Sequence, residues 1–383
     1  MEYKGIVTKK DNSIVLYSSV ILWFISVFNG TGIDHVYNIY GKTAAILVLC
    51  VLYQLIFNGK FRETEKTMAV LIFIILFQNL YTHLLYKQDF FGYVLIYAIP
   101  ILYSSYTINE KQMRAIGMVY GIGGGIILIF ANFTKYFAGW DGNTVSQTCF
   151  FSYAVFIAAV FDIDKKEHQR LIVTYSIIYF VLLWTLHSRS CIIFSVALLL
   201  CGLNIINTRS FINKSNIIIW LLVPLIIALV IISISNAEYI EVLNKWSLEH
   251  FSKSIFNGRD SIWSRGIRIW AEHPLFGIGT FNMNWHNSAI ACLSGAGIVG
   301  YSIWIYIIRK ILADACKYVD DNINIGTVTA FIIVWMQQSV EQGMIGVRAN
   351  PAILVLLGLV LARTNTLRKK DNNDKLNLEQ KDV

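Results

Sequence analysis

The feature that most constrains this chain is the length of its apolar runs. Blocks near bilayer-spanning length, nearly free of charge, recur from residue 14 to residue 363. A bilayer core takes roughly 20 residues of helix, whereas a soluble protein breaks its apolar runs every ~4–8 residues. Twelve candidate spans lie near 14–28, 36–57, 67–86, 90–107, 113–133, 144–161, 171–187, 190–206, 216–235, 288–308, 324–347 and 350–363. The expected fold is therefore all-α, a polytopic transmembrane helical bundle of about twelve spans. A composition 56% hydrophobic and only 15% charged agrees. Residues 1–363 read as one integral membrane domain with a large extracytoplasmic loop at 236–287. The polar stretch 364–383, ending DNNDKLNLEQKDV, is expected to be a disordered cytoplasmic tail.

The net charge of +8 would suit a nucleic-acid binder, but its placement excludes that reading. With the N-terminus in the cytoplasm, the inside segments hold Lys4, Lys9, Lys10, Lys60, Arg62, Lys66, Lys111, Arg114, Lys165, Lys166, Arg170, Arg209, Lys214, Arg309, Lys310 and Lys317, and the basic tail from Arg363. Outside loops are sparse in Lys and Arg except for the long one. That asymmetry sets orientation, so both termini are expected in the cytoplasm, with the lipid bilayer as partner and no nucleic acid. Ile14 to Phe28 lacks a small-residue cleavage site and reads as the first span. The six cysteines form no CxxC pair, so neither a disulfide framework nor a zinc site is expected. Gly123-Gly124-Gly125 reads as a close helix-packing position.

Chemistry is expected on the outer face. Arg189 stands in TLHSRSC, a turn of a few residues between two spans. It is either a snorkelling interface arginine or a phosphate clamp, since guanidinium binds phosphate oxygens bidentately. Residues 259–273 have helical phase. Ile262, Trp263, Gly266, Ile267 and Trp270 form one face, and Arg265, Arg268 and Glu272 the other. Arg259 falls in line with the apolar stripe, so it points inward at a helix N-terminus, where free N–H groups favour anions. An ion pair, with Asp260 as a candidate partner, is the alternative, as is a snorkelling arginine. His286, in NWHNS, suits proton transfer or sugar hydroxyl binding, or is a hydrogen-bonded structural residue. His273 before Pro274 ends the helix, and glycines 277, 279, 295, 297 and 300 read as turn and packing positions. Gln337, Gln338, Glu341 and Gln342 are expected inside the eleventh span. A carboxylate there must face protein or a wet cavity, as a partner of Arg348 or another arginine, or as a cavity wall.

The order of these motifs resembles the signature region of the O-antigen ligase and Wzy-type polysaccharide polymerase family. It is carried by Ser188-Arg189, Gly258-Arg259, Trp263, His273-Pro274-Leu275-Phe276-Gly277-Ile278-Gly279 and His286-Asn287-Ser288, from about residue 170 to 310. The turn His187-Ser188-Arg189-Ser190 departs from the glycine-containing turn usual there. The resemblance implies a GT-C-like, metal-independent glycosyltransferase without cofactor, facing outward from the plasma membrane. Its donor and acceptor would be undecaprenyl-diphosphate-linked oligosaccharides, with a chain-length regulator and a flippase as partner proteins. Carried over, Arg189, Arg259 and His286 are the catalytic candidates, and Arg348, Glu341, Asn287 and Trp263 the substrate-binding ones, with inversion at the anomeric carbon. The Asp162-x-Asp164 pair lies on the cytoplasmic side. Polymerase is the favoured activity, since richness in Ile, Asn, Tyr and Lys fits AT-rich surface-polysaccharide loci. Ligase is the alternative and flippase a second one; no inverted-repeat symmetry is visible for the last.

Overall fold

The computed structural model describes residues 13–28, 46, 99–100, 102–104, 106–134, 142–162, 164–186, 188–251, 254–280, 283–344 and 350–379. The expected spans near 36–57 and 67–86, most of 90–107, and Arg348 and Cys50 lie outside these residues. Among the described residues every regular element is a helix. They are α1 (Ser13–Phe28), α2 (Glu110–Thr134), α3 (Gly142–Val160), α4 (Lys166–Trp184), α5 (Arg189–Gly202), α6 (Thr208–Phe211), α7 (Ile217–Ile234), α8 (Glu238–Phe251), α9 (Arg259–Glu272), α10 (Ser288–Ala315), α11 (Asn322–Gln337) and α12 (Pro351–Glu379). Five of them (α2, α3, α7, α10 and α12) are long and apolar enough to cross a membrane, and α1, α5 and α11 are shorter apolar helices.

A helix that is apolar all round must be surrounded, and α3 is that helix. Fifteen of its nineteen residues are buried, and it packs against α2, α4, α5, α11 and α12. Small residues let the helices close up. A Cβ on Gly117 would sit 2.2 Å from the Ala159 Cβ, and one on Gly124 2.8 Å from the Ser152 Cβ. Outward, Met118, Ile122, Ile126, Ile129, Phe130 and Phe133 of α2 and Ile177, Ile178, Val181 and Trp184 of α4 stay exposed. Apolar surface this extensive suits lipid, not water.

Two expectations change here. The eleventh span was expected to run to 347, but α11 stops at Gln337. Gln338 to Met344 is irregular, so Glu341 and Gln342 are not in a helix. The Gln338 side chain explains the stop, because its Oε1 accepts from the Gly343 and Met344 backbone N–H groups at 2.6 and 3.0 Å. A side chain that satisfies local N–H groups competes with the helical ladder. The tail is the second change. Instead of being disordered from Thr364, α12 continues to Glu379. Arg363 pairs with Asp321 at 2.5 Å, and Thr366 Oγ1 donates to the Ile108 carbonyl at 2.8 Å. These polar residues find partners on the bundle, which composition could not show.

Asp162 follows the C-terminal end of α3, at the opposite end of that helix from Gly142. It meets Lys165 at 3.1 Å, His168 at 3.3 Å and Arg114 at 3.4 Å, and Asn322 Nδ2 donates to it at 3.1 Å. Burial pushes the Asp162 carboxyl up. Its bonds to Lys165 and the Asp164 backbone N–H, with the charges of Lys165 and His168, outweigh that and hold it below the usual carboxylate range. The Asp-x-Asp pair is thus a clasp between helices.

At the other end, α10 is broken at Gly297, whose φ is 66° and ψ −170°. A break strands backbone groups that hydrocarbon cannot satisfy. The His273–Gly279 segment satisfies them. The N–H groups of Ile278 and Gly279 donate to the Ser294 and Gly295 carbonyls at 2.9 and 2.8 Å. Those of Ile298 and Val299 donate to Pro274 and Leu275 at 2.9 and 3.2 Å. The segment therefore splices α9 to α10, which fixes Arg259 relative to His286.

Candidate functional site

Four helix N-termini gather at this end. Arg189 is the first residue of α5, and Arg259 the first residue of α9. Gly142 opens α3, and Asn287 caps α10. Each N-terminus carries partial positive charge. Beside the first three lies a small polar cavity of about 40 Å³ lined by Asn143, Ser188, Arg189, Ser190, Asn257, Arg259 and Glu341.

The helical phase of α9 holds in three dimensions. Trp263 and Gly266 are buried, Arg265, Arg268 and Glu272 are exposed, and Arg259 turns inward. Arg259 Nη2 donates to Glu341 Oε1 at 2.9 Å, with side-chain exposures of 19% and 7%. The partner is therefore Glu341, not Asp260. Its Nε is buried without a hydrogen-bond partner. Among the described residues, the guanidinium of Arg189 makes no hydrogen bond or ion pair. That guanidinium lies on the wall of the cavity.

His286 joins the same cluster. Its Nδ1 lies 3.2 Å from Glu341 Oε2, and its Nε2 lies 3.0 Å from Asn284 Nδ2. Its backbone is left-handed, with φ 49°, a conformation costing a non-glycine residue about 1–2 kcal/mol. The neighbouring contacts hold it there, notably the Trp285 N–H donating to Gln342 Oε1 at 2.8 Å and Ser288 N–H to the Gln338 carbonyl at 3.0 Å.

Two expected substrate-binding residues, Asn287 and Trp263, are buried with polar atoms bonded inside the protein. Asn287 is fully buried. Its Oδ1 caps α10 by accepting from the Ile290 N–H at 3.0 Å, and its Nδ2 donates to the Pro224 and Ser339 carbonyls at 2.9 and 2.8 Å. Both amide N–H donors and one Oδ1 lone pair are thus engaged inside the protein. Trp263 is also fully buried, its Nε1–H donating to the Trp285 carbonyl at 2.7 Å. Asn287→Ala should therefore lower stability by about 2–4 kcal/mol, from a lost cap and two orphaned carbonyls. Thermal unfolding of the purified variant reads this. An unchanged melting point with weakened substrate binding would restore the substrate role.

Asn143, Ser190, Asn257 and Asn284 belong to the site yet stand out little in sequence. Ser190, Asn257 and Asn284 carried a local signal in lying within two residues of Arg189, Arg259 and His286; Asn143 carried none. Among the described residues, no group of three or more His, Cys, Asp or Glu side chains is arranged to hold a metal.

The fold and the site together define a helical membrane protein with a small polar cavity at one end, lined by Arg189, Arg259 and Glu341. Residues 174–305, about a third of the chain, match the family model described as Wzy_C, O-antigen ligase. That span contains Arg189, Arg259, Trp263 and His286 and stops short of Glu341. No curated protein matches the chain.

Proposed function

We propose that this chain is a polymerase that joins undecaprenyl-diphosphate-linked oligosaccharide repeat units into a surface polysaccharide on the outer face of the plasma membrane. The observation that carries this reading is the pair of guanidiniums on one polar cavity, Arg189 unpaired and Arg259 with a free Nε, against the single carboxylate of Glu341. Such a pocket is built for an anion with several oxygens. A diphosphate leaving group is the anion that glycan transfer from a lipid carrier releases.

In this reading the acceptor hydroxyl attacks the anomeric carbon as the bond to the diphosphate oxygen breaks. The electron pair leaves with undecaprenyl diphosphate, whose growing charge Arg189 and Arg259 stabilise. The hydroxyl proton passes to His286. Attack opposite the leaving group inverts the anomeric centre. The arginines supply the positive charge, so the rate is expected to survive excess EDTA.

A ligase that passes a finished glycan to lipid A core or protein would use the same groups, and the description of the matching family favours it as the second reading. Purified protein in lipid nanodiscs with the native lipid-linked repeat separates the readings. Lengthened glycan with released undecaprenyl diphosphate supports the polymerase. Transfer only to lipid A core or protein supports the ligase. Relocation without bond formation would make the chain a flippase and overturn both.

A further inference from the structure

Glu341 lies outside the matched region, in the irregular segment after α11, yet it touches both halves of the site. One carboxylate oxygen takes Arg259 Nη2 at 2.9 Å and the other faces His286 Nδ1 at 3.2 Å. These two duties compete. A carboxylate shared with a guanidinium has less negative charge to offer an imidazole.

The hydrogen-bond network also decides which ring nitrogen carries the proton. The His286 backbone N–H donates to Asn284 Oδ1 at 3.3 Å, which orients that amide and leaves its Nδ2 3.0 Å from His286 Nε2. An amide NH₂ only donates, so Nε2 is the acceptor and the ring proton sits on Nδ1, aimed at Glu341. The basic nitrogen is thus Nε2, covered by a weak amide donor that a hydroxyl can replace. Glu341 is placed to steady the imidazolium that forms when Nε2 takes a proton. Arg259, for its part, holds an unpaired Nε beside its bond to Glu341. A diphosphate oxygen that reaches this guanidinium competes with Glu341 for Nη2.

Resting on the glycosyl-transfer reading, we propose that Glu341 is a positioning residue that couples donor arrival to the readiness of His286. In the free protein the Arg259–Glu341 pair keeps the carboxylate occupied. A diphosphate that claims Arg259 returns the carboxylate charge to the Nδ1–H of His286. His286 then accepts the acceptor hydroxyl proton at Nε2 while Glu341 stays ionised. The base is at full strength only when there is a leaving group to displace.

The coupling makes two effects run in opposite directions. Glu341→Gln removes the competitor for Arg259, so undecaprenyl diphosphate should bind tighter, by about tenfold. The same change should slow turnover of the lipid-linked repeat by about a hundredfold or more, since the imidazolium loses its counter-charge. A merely structural role would weaken both. Glu341→Ala with added formate supplies a second readout, because a small carboxylate entering the vacated space should restore part of the turnover. Weaker binding of undecaprenyl diphosphate by both variants, wild-type turnover by Glu341→Gln, or no response to formate would overturn the coupling. Arg259→Ala and His286→Ala are measured beside them. Wild-type elongation by those two would instead sink the glycosyl-transfer reading itself. Their inactivity beside a fully active Glu341→Gln would remove the coupling alone.

Discussion

Arg259→Ala should abolish glycan elongation, with a loss of about 10³-fold or more at equal amounts of folded protein. Arg259 is the residue where every local feature converges. It opens α9, turns its guanidinium inward and shares Glu341 with His286. Its truncation removes the positive charge expected to meet the leaving diphosphate. It also leaves the Glu341 carboxylate, 7% exposed, without its guanidinium partner, which disfavours the local structure as well. Arg259→Lys should fail nearly as badly, since one ammonium cannot replace a planar fork that holds two oxygens. Arg265 is on the same helix but exposed, so Arg265→Ala should keep most of the activity. Elongation by the three variants, normalised to monodisperse protein, is the measurement. Comparable activity from all three would take Arg259 out of the site.

The second large effect concerns folding. Gly297→Ala should yield little folded protein, because its Cβ would lie 2.3 Å from both the carbonyl carbon and oxygen of Leu275. Those are backbone atoms of the segment that satisfies the broken α10, so no side chain can swing aside. The conformation, φ 66° and ψ −170°, is also one that essentially only glycine adopts, and strain of that kind costs about 1–3 kcal/mol before any clash is counted. Gly258 is the control. It too has positive φ, at 75°, but nothing lies within 4 Å of an added Cβ, so Gly258→Ala should cost only about 1–2 kcal/mol. Thermal unfolding of the two variants compares strain alone with strain plus overlap. A Gly297→Ala protein as stable as Gly258→Ala would show that the splice between the loop and α10 yields easily.

The sequence carried a good deal of this. Apolar run length was enough for a helical membrane protein, since the bilayer imposes both the length and the internal pairing of backbone groups. The phase of residues 259–272 was enough to separate Arg259 from Arg265 and Arg268, because 3.6-residue periodicity is a local property. The glycines at 277 and 297 were legible as turn and packing positions, though not as two sides of one splice.

What sequence left open was decided by partners distant along the chain. Trp263 and Asn287 sit among the motif residues and looked able to meet a sugar, yet the fold spends their polar atoms on the Trp285, Pro224 and Ser339 carbonyls and the Ile290 N–H. Thr364 to Glu379 was polar enough to seem disordered, but its first residues find partners on the bundle and the helix continues. Glu341 shows the division most clearly. Its sequence position said only that a carboxylate near the membrane needs a partner. The choice of partners, Arg259 at a separation of 82 residues and His286 at 55, depended on Gln338 ending α11 and on Gly297 breaking α10. Local periodicity fixes which face a side chain takes, but charge pairing across such distances depends on how whole helices are placed, and that is settled only by packing.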